Sequence, residues 1–406
     1  MENRRIYQQI WNSLASEKPL ILLTGPRQAG KTTLSKLISQ DYSNYLYINW
    51  DISADRIRFL ENPEYFRELS RKDDSKPLIV FDELHKYKDW KNYLKGIYDG
   101  LHEEYRFLVA GSGRLDTYQK GADSLAGRYL LLHLWPMTLA ELGQANKSIE
   151  EFSKDPLKIQ IEHHGMLAEL WENLKEHSGF PEPFLSAKKT SYRRWSNIYS
   201  KQLIREDIRD QTEIKSILDV ETLYMLLPSK VGSPLSIPSL SRDLKVAYNS
   251  INNWLVTFEA FFLTFTIAPW TRRIPRSIQK EKKLYLWDSP RIKSKAARFE
   301  NMVALELYRA IHSWNDCGYG DFSLHYLRNK EHQEVDFLIS NEQEPFLMIE
   351  TKLNETDVSP VLKKFQNQLQ IPAIQLTESG DSYRLLPNKG RQILIAPAYH
   401  WLAGLP

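Results

Sequence analysis

The chain has 406 residues, of which 42% are hydrophobic and 26% are charged, and its formal net charge is +3. This length predicts two or three domains, each able to bury its own core, and the small net charge neither requires nor excludes a nucleic-acid partner. The single cysteine, Cys317, excludes an internal disulfide and a cysteine-rich zinc site. The first 18 residues lack the apolar core of a signal peptide, and no apolar run is long enough to span a membrane. We therefore expect a cytoplasmic protein without a membrane partner.

The most informative segment is residues 25–32, which read GPRQAGKT. They fit the pattern G-x-x-x-x-G-K-[ST], in which backbone N–H groups surround the phosphates of a nucleotide. A short apolar run precedes the loop and a helical pattern follows it, as this motif requires. The pattern predicts that Lys31 contacts the β- and γ-phosphates and that Thr32 ligates Mg²⁺. The residues expected to contact the nucleotide are Gly25, Pro26, Arg27, Gln28, Ala29, Gly30, Lys31, Thr32, Thr33 and Ser112.

Further apolar runs predict strands at residues 45–49, 78–81, 107–110 and 129–132. Because helical patterns lie between them, we expect an α/β unit with a mostly parallel sheet.

Polar residues follow two of these strands, at the edge where such a sheet binds its ligands. Asp82 is expected to hold Mg²⁺ through water, and Glu83 is expected to orient and deprotonate the attacking water. Ser112 follows the next strand and either senses the γ-phosphate or belongs to a simple turn. A cation on the transferred phosphoryl group could come from Arg128 or Arg114, in the same subunit or in a neighbouring subunit of a homo-oligomer.

These motifs occur in order with Gly111, the LAGR segment at 125–128, Pro136 and the GFPEP segment at 179–183. Together they resemble a prokaryotic family of AAA-type ATPases that is related to the archaeal ATPases and carries a C-terminal domain of unknown function. The resemblance implies an AAA-type core over residues 1–150 and ATP, rather than GTP, as the nucleotide.

The middle of the chain predicts two further regions. Residues 151–225 are helical and polar in pattern, which suits the helical lid of an AAA core. Residues 226–284 predict a winged helix-turn-helix, with a basic wing tip that either contacts DNA or packs on the protein's own core. The cations of this wing tip are Arg272, Arg273, Arg276, Lys280, Lys282 and Lys283, and the three arginines are the predicted DNA-binding residues.

Residues 285–406 contain a second group of chemically suited side chains. Glu300 lies on a predicted helix, Asp336 lies on a predicted strand, and Glu350 and Lys352 share one face of another strand. Three carboxylates and a lysine in one pocket suit Mg²⁺-dependent cleavage of a phosphodiester. Asp336 and Glu350 would ligate the metal, Glu300 would support the metal shell, and Lys352 would orient the water.

This arrangement resembles the PD-(D/E)xK nucleases of the restriction-endonuclease-like fold, and most of all the branch of the Holliday-junction resolvases. One departure is that no proline precedes Asp336, whose preceding neighbours are Glu334 and Val335. The resemblance implies a nuclease-like domain over residues 285–406. A domain of that fold that only docks a partner, with Glu350 and Lys352 as an ordinary ion pair, is the alternative.

The sequence as a whole predicts an α/β protein with a P-loop AAA-type ATPase core, a helical lid, a winged helix-turn-helix and a C-terminal α/β restriction-endonuclease-like domain. We expect ATP and Mg²⁺ as cofactors and DNA as a partner, with ATP hydrolysis controlling a nuclease in repair, recombination or defence. The alternative function is an ATP-switched regulatory protein that binds DNA through the winged helix and cuts nothing.

Overall fold

A computed structural model describes residues 4–111, 125–144, 147–159, 164–209, 216–271, 281–354, 357–380 and 383–406. The chain forms two compact units, Met1–Pro136 and Met137–Pro406. Among the described residues, no helix has both the length and the apolar character needed to cross a membrane. Several residues of the predicted sites lie outside the described residues, namely Ser112, Arg114, Arg272, Arg273, Arg276 and Lys280.

The first unit contains a parallel sheet whose described strands stand in the order β2-β3-β4-β1-β5. The strands are β1 (Leu20–Thr24), β2 (Tyr45–Asn49), β3 (Leu78–Asp82), β4 (Arg106–Ala110) and β5 (Leu130–His133). The helices are α1 (Arg5–Glu17), α2 (Lys31–Gln40), α3 (Ser53–Glu61) and α4 (Trp90–Leu101), with 3-10 turns at Tyr65–Glu68 and Leu84–Lys86. The predicted α/β fold with a parallel sheet is confirmed.

Apolar side chains cover both faces of this sheet, which explains why its strands read as continuous apolar runs. Along β1, Leu22 packs into one core with Phe81 and Phe107, whereas Leu23 packs into the other with Trp11. Because β4 lies between β1 and β3, the carboxyl ends of these three strands are adjacent. The phosphate loop that follows β1 and the acidic residues at the end of β3 therefore lie at one edge of the sheet.

The second unit contains a mixed sheet, which among the described residues has eight strands in the order β12-β13-β11-β10-β9-β8-β6-β7. They are β6 (Thr264–Pro269), β7 (Lys283–Leu286), β8 (Phe322–Arg328), β9 (Glu334–Asn341), β10 (Glu344–Lys352), β11 (Ala373–Thr377), β12 (Arg384–Asn388) and β13 (Arg391–Pro397). The pairs β10–β11, β11–β13 and β6–β8 are parallel, and the other pairs are antiparallel.

Helices of the second unit precede, interrupt and follow this sheet in the chain. They are α5 (Leu139–Leu142), α6 (Ile149–Lys154), α7 (His164–His177), α8 (Pro181–Ser186), α9 (Lys189–Gln202), α10 (Ile217–Leu226), α11 (Ile237–Leu244), α12 (Tyr248–Ala260), α13 (Lys295–Asp316), α14 (Pro360–Leu369) and α15 (Ala398–Leu402), with a π-helical segment at Leu203–Ile208. Helix α13 buries Phe299, Val303 and Leu307, which recur every four residues as expected for one helix face.

The two helices predicted for the helix-turn-helix are present as α11 and α12, but the predicted wing belongs to a larger sheet. Strand β6 pairs with β7 and also, in parallel, with β8, so the hairpin extends the C-terminal sheet. The predicted domain boundary after residue 284 falls inside β7. All four residues of β7 are buried, and Tyr285 packs against Phe337 of β9 with ring centroids 6.0 Å apart. A separate winged-helix domain is therefore not confirmed.

One buried carboxyl group links α13 to the start of the second unit. Glu306 is 3% exposed, and its Oε1 accepts a hydrogen bond of 2.8 Å from the backbone N–H of Leu139. Burial raises the pKa of Glu306 from 4.5 to about 7. The folded protein therefore holds a proton on this group more tightly than the unfolded chain does.

We expect Glu306 to make the second unit less stable as the pH rises. The folded pKa is raised, so the stability contributed by the protonated group is fully present below pH 4.5 and is lost as the pH passes about 7. A shift of this size corresponds to roughly 3 kcal/mol. Urea unfolding at about pH 5 and about pH 8 should show that Glu306→Gln removes this part of the pH dependence. The same pH dependence in wild type and variant would contradict the assignment.

Candidate functional sites

The predicted phosphate loop connects β1 to α2, and its two motif glycines occupy backbone conformations that favour glycine. The φ angles are 143° at Gly25 and 101° at Gly30. A Cβ atom at Gly25 would lie 2.1 Å from the carbonyl oxygen of Leu134. The ammonium of Lys31 donates to the carbonyl oxygens of Gly25 at 2.9 Å and Pro26 at 2.7 Å. The loop therefore presents a buried lysine at the end of β1.

Thr32 and Asp82 contact each other directly at this edge of the sheet. The Thr32 hydroxyl donates to Oδ2 of Asp82 at 2.8 Å, and the Tyr47 hydroxyl donates to the same oxygen at 2.7 Å. Asp82 is 2% exposed, and burial raises the pKa of its carboxyl group, although both hydrogen bonds oppose that shift. A hydroxyl and a carboxylate are the hard oxygen ligands that Mg²⁺ prefers, so Thr32 and Asp82 fit this ion. Tyr47 was not predicted as a site residue.

Glu83 is positioned by its backbone and paired through its side chain. Its φ angle is 60°, and its N–H donates to the carbonyl oxygen of Ala110 at 2.8 Å, which joins the ends of β3 and β4. The carboxylate lies 3.2 Å from the ammonium of Lys86 and 3.8 Å from the ring of His85. Lys86 also pairs with Asp51 at 2.7 Å. Glu83 thus follows Asp82 directly and is held by a neighbouring cation.

Arg128 lies at the other edge of the parallel sheet. It precedes β5, and its guanidinium pairs with Asp99 near the end of α4 at 2.7 and 3.2 Å. The residue beside it, Gly127, accepts a hydrogen bond from Lys18, which precedes β1. The phosphate loop follows β1, whereas Arg128 precedes β5 and is paired with Asp99. A role of Arg128 at the transferred phosphoryl group, in its own subunit or in a neighbouring one, stays a prediction.

Arg4 is a contact of the phosphate loop that the sequence patterns did not indicate. It is 2% exposed, and its guanidinium donates to the carbonyl oxygens of Ala29 at 2.7 Å and Trp135 at 2.8 Å. These partners are 25 and 131 residues away in the chain, so no local spacing could reveal them. Arg4 ties the phosphate loop to the segment that follows β5.

The second site is a carboxylate cluster, which we define as Lys283, Glu300, Glu334, Asp336, Glu350 and Lys352. Lys283 on β7 has no exposed surface, and its ammonium lies 2.9 Å from Glu300, 2.6 Å from Glu334 and 3.7 Å from Asp336. The Tyr285 hydroxyl donates to Glu300 at 2.8 Å. The neighbouring carboxylates raise the pKa of Lys283 although burial opposes them. Lys283 is one of the predicted cations of the wing tip, which were expected either to contact DNA or to pack on the protein's own core, and the structure buries it among carboxylates.

Asp336, Glu350 and Lys352 meet on the neighbouring strands β9 and β10. The antiparallel register pairs Phe337 with Ile349, so the next position places Asp336 opposite Glu350. The Lys352 ammonium lies 3.0 Å from Oε1 of Glu350. Oδ2 of Asp336 accepts hydrogen bonds from the backbone and the hydroxyl of Thr351, at 2.8 and 2.6 Å.

One carboxylate oxygen of Glu350 is buried and does not take part in the contacts described above. Its Oε2 has no hydrogen-bond partner among the described residues. Burial and the charge of Asp336 raise the pKa of Glu350 to about 8, and the same two causes raise that of Glu300 to about 7. A buried oxygen without a partner is costly, and a proton or a cation relieves that cost. Because Mg²⁺ needs only one or two protein carboxylates beside water and phosphate oxygens, Glu350 and Asp336 fit this ion.

The predicted third carboxylate does not join them. Among the described residues, no group of three or more His, Cys, Asp or Glu side chains is arranged to hold a metal ion. Glu300 instead contacts Lys283 and Tyr285. A role of Glu300 in supporting a metal shell stays a prediction.

Comparison with protein families identifies three regions. Residues 17–143 match the AAA domain, residues 168–290 match a domain of unknown function (DUF8612), and residues 295–399 match a second one (DUF4143). The chain thus carries an AAA-type ATPase domain, which supports ATP binding and hydrolysis, and this part of the sequence-based resemblance is confirmed. The C-terminal match is to a domain of unknown function, so a nuclease-like role is not confirmed.

Whole-chain relatives have no assigned function. The chain is 24% identical over 401 residues to an uncharacterized protein of Methanocaldococcus jannaschii, covering 94% of this chain and 87% of that protein. It is 22% identical over 371 residues to an uncharacterized protein of Mycobacterium tuberculosis, covering 89% of this chain and 77% of that protein.

Two solved structures are distantly similar. The Walker-type ATPase of Pyrococcus abyssi has a TM-score of 0.44 at 14% identity. This match covers 71% of the present chain and 94% of the ATPase chain. The ORC1 protein of Aeropyrum pernix, solved in complex with DNA, has a TM-score of 0.32 at 11% identity. This match covers 75% of the present chain and 91% of the ORC1 chain.

We expect Lys283→Met to destabilise the second unit by about 3–5 kcal/mol, because it leaves buried carboxylates without their cation. Lys282→Met is the matched control, since this neighbouring lysine is exposed. The control should cost no more than about 1 kcal/mol. Urea unfolding at neutral pH measures both. Equal losses in the two variants would show that Lys283 is not the central cation of the cluster.

Proposed function

We propose that the AAA-type domain hydrolyses ATP with Lys31, Thr32, Asp82 and Glu83 in separate roles. The observation that carries this proposal is the 2.8 Å hydrogen bond between Thr32 and Asp82 beside the phosphate loop. A bound Mg²⁺ would neutralise charge on the β- and γ-phosphates. Thr32 and Asp82 would hold that ion, and their mutual hydrogen bond would open to expose both oxygens to it.

Lys31 and Glu83 would act at different stages of the reaction. The Lys31 ammonium would exchange the carbonyl oxygens of Gly25 and Pro26 for phosphate oxygens, which favours nucleotide binding. Glu83 would accept a proton from the attacking water. Its pairing with Lys86 must loosen for that step, because the ion pair competes for the same carboxylate.

We expect Lys31→Ala to lose ATP binding, because Lys31 contacts phosphates in the ground state. Glu83→Gln should bind ATP normally and hydrolyse it about 10²-fold more slowly or worse, because a general base acts only in the transition state. Binding of a fluorescent ATP analogue and release of phosphate measure the two effects. The exposed Lys95 on α4 supplies a control, Lys95→Ala, which should change neither. Equal turnover by wild type and Glu83→Gln would remove Glu83 from the mechanism.

We further propose that the C-terminal region cleaves DNA with Mg²⁺ and that ATP hydrolysis controls this activity. The proposal is supported by the buried, unpartnered Oε2 of Glu350 beside Asp336 and Lys352. The bound ion would stabilise the charge that develops on the scissile phosphate. Asp336 and Glu350 would hold it, and Lys352 would orient the attacking water. Arg272, Arg273 and Arg276, outside the described residues, would contact DNA phosphates.

A regulatory protein that cuts nothing is the second candidate, and Lys283 favours it. Its ammonium lies within 3.7 Å of Glu300, Glu334 and Asp336, so the chain itself supplies positive charge to the cluster. A cluster already compensated in this way attracts a divalent ion less strongly. In this case the C-terminal region would dock a partner under the control of ATP.

Incubation of the pure protein with linear, branched and single-stranded DNA, with and without ATP and Mg²⁺, distinguishes the two candidates. We expect Asp336→Asn to abolish Mg²⁺-dependent cleavage and to leave ATP hydrolysis intact, because it removes a metal ligand far in sequence from the phosphate loop. Glu344→Gln is the control, since this exposed carboxylate lies on the same strand as Glu350. DNA binding without cleavage by the wild type would favour the regulatory protein.

A further inference from the structure

The second unit contains a cavity that neither proposed activity uses. Its volume is about 900 Å³, which is within the range of sites for small organic ligands. It is bordered by α9, by the segment that follows α10 and by the turn that leads into α13. All of its lining residues belong to the second unit.

The charged side chains that line the cavity are all cationic. Arg193, Arg291 and Lys293 line it, and no aspartate or glutamate is among its described lining residues. Arg193 and Lys293 are exposed, and within the part of the chain that is described neither forms an ion pair. This imbalance favours an anionic ligand.

Arg291 is fixed in place by other side chains. Its Nη1 donates to the Ser196 hydroxyl at 3.2 Å and to the Ser200 hydroxyl at 3.3 Å, and its guanidinium lies 4.8 Å from the ring centroid of Tyr224. All hydrogen bonds of Arg291 to described residues use Nη1, so Nε and Nη2 remain as a donor edge. The nearby carboxylate of Asp288 is buried and accepts hydrogen bonds from Tyr192 and Ser196 instead. Such a held guanidinium edge suits two oxygens of one phosphate group.

Apolar residues form part of the remaining wall of the cavity, beside the polar Asn197, Ser229 and Ser294. Met225, Pro228, Val231, Pro290 and Ala297 contribute to it, and Met225 is 71% exposed. An exposed methionine beside prolines offers an adaptable surface to a flat or irregular organic group. The cavity thus combines a phosphate-binding edge with a surface for an apolar body.

We propose that this cavity binds an organic phosphate of about the size of a nucleoside monophosphate. The phosphate lies on the free edge of Arg291, with Arg193 and Lys293 adding charge. The organic body packs against the apolar wall. The residues that line this site are distinct from those of the phosphate loop and from those of the carboxylate cluster.

The cavity wall continues along the chain into a short segment, residues 232–234, that contacts the carboxylate cluster. Through this segment, a ligand in the cavity would regulate the cluster. Gly232 follows the lining residue Val231, and a Cβ atom at Gly232 would lie 3.1 Å from Oε2 of Glu300. Two residues later, Pro234 forms a β-bridge with Lys283. The ligand therefore contacts a segment that bears on both members of the Glu300–Lys283 ion pair. This regulatory role rests on the proposed nuclease function, whereas ligand binding does not.

Calorimetric titration with AMP tests the site in the full chain carrying Lys31→Ala, which disables the phosphate loop. In that background, the double variant Arg193→Gln, Lys293→Gln should bind AMP at least about tenfold more weakly, because two charge-assisted contacts are lost. The matched control is Arg194→Gln, Lys295→Gln, which removes the same charge from neighbouring exposed residues that do not line the cavity. Its affinity should stay within about twofold of the background protein.

Adenosine and inorganic phosphate complete the test, since each lacks one half of the proposed ligand. Both should bind more weakly than AMP. The proposal is overturned if AMP gives no binding heat at millimolar concentration, or if the cavity variant and the control variant bind it equally. Inorganic phosphate binding as tightly as AMP would remove the role of the apolar wall. Binding of single-stranded oligothymidylate but not AMP, lost in the cavity variant alone, would assign the surface to nucleic acid instead.

Discussion

The burial of carboxylates is the constraint on which both candidate sites depend. An ionised carboxylate that leaves water costs several kcal/mol unless hydrogen-bond donors, a cation or a proton compensate it. Asp82 is compensated by the hydroxyls of Thr32 and Tyr47. In the second unit, Lys283 compensates Glu300 and Glu334, while Oε2 of Glu350 keeps no described partner. The charge of Asp82 is thus offset only by neutral donors, and one oxygen of Glu350 is not offset at all by described residues. A divalent ion would stabilise the ionised carboxylates at both sites.

The two units reach this arrangement through different sheets. In the first, the parallel order places β4 between β1 and β3, so the phosphate loop and Asp82 approach each other at the carboxyl ends of the strands. The buried backbone around Gly25 leaves no room for a side chain beside Leu134, which fixes the loop conformation. In the second, the antiparallel β9–β10 pair aligns Asp336 with Glu350, and the β6–β7 hairpin contributes Lys283 from the far side of β8. The nucleotide site of the first unit is therefore marked by a local sequence motif. The carboxylate cluster of the second unit depends instead on the pairing of strands that are distant in the chain.

That difference explains how much could be predicted from the sequence. The strands of the first unit were predicted within one or two residues of their ends, because strands buried on both faces read as continuous apolar runs. The spacing of Glu350 and Lys352 also predicted their contact, since alternate residues of a strand share a face. The burial of Lys283 among carboxylates was not predicted, because its partners are set by the topology of the sheet and not by neighbours in the chain. Tyr47 and Arg4 were missed for the same reason, since their partners lie 25 or more residues away in the chain.

The β6–β7 hairpin also links the segment before α11 to the C-terminal sheet. A hinged winged helix could bind a partner without affecting the C-terminal sheet, but here the hairpin is part of that sheet. The backbone N–H of Leu235 donates to the carbonyl oxygen of Lys282 at 2.8 Å, so the segment leading into α11 is bonded to the strand that carries Lys283. A displacement of that segment must therefore move, or strain against, a lysine with no exposed surface and two short carboxylate contacts. Close-packed interiors respond to such displacements in discrete steps rather than by gradual deformation. A ligand that displaces this segment, as proposed above, would therefore act on the contacts of Lys283 within the carboxylate cluster.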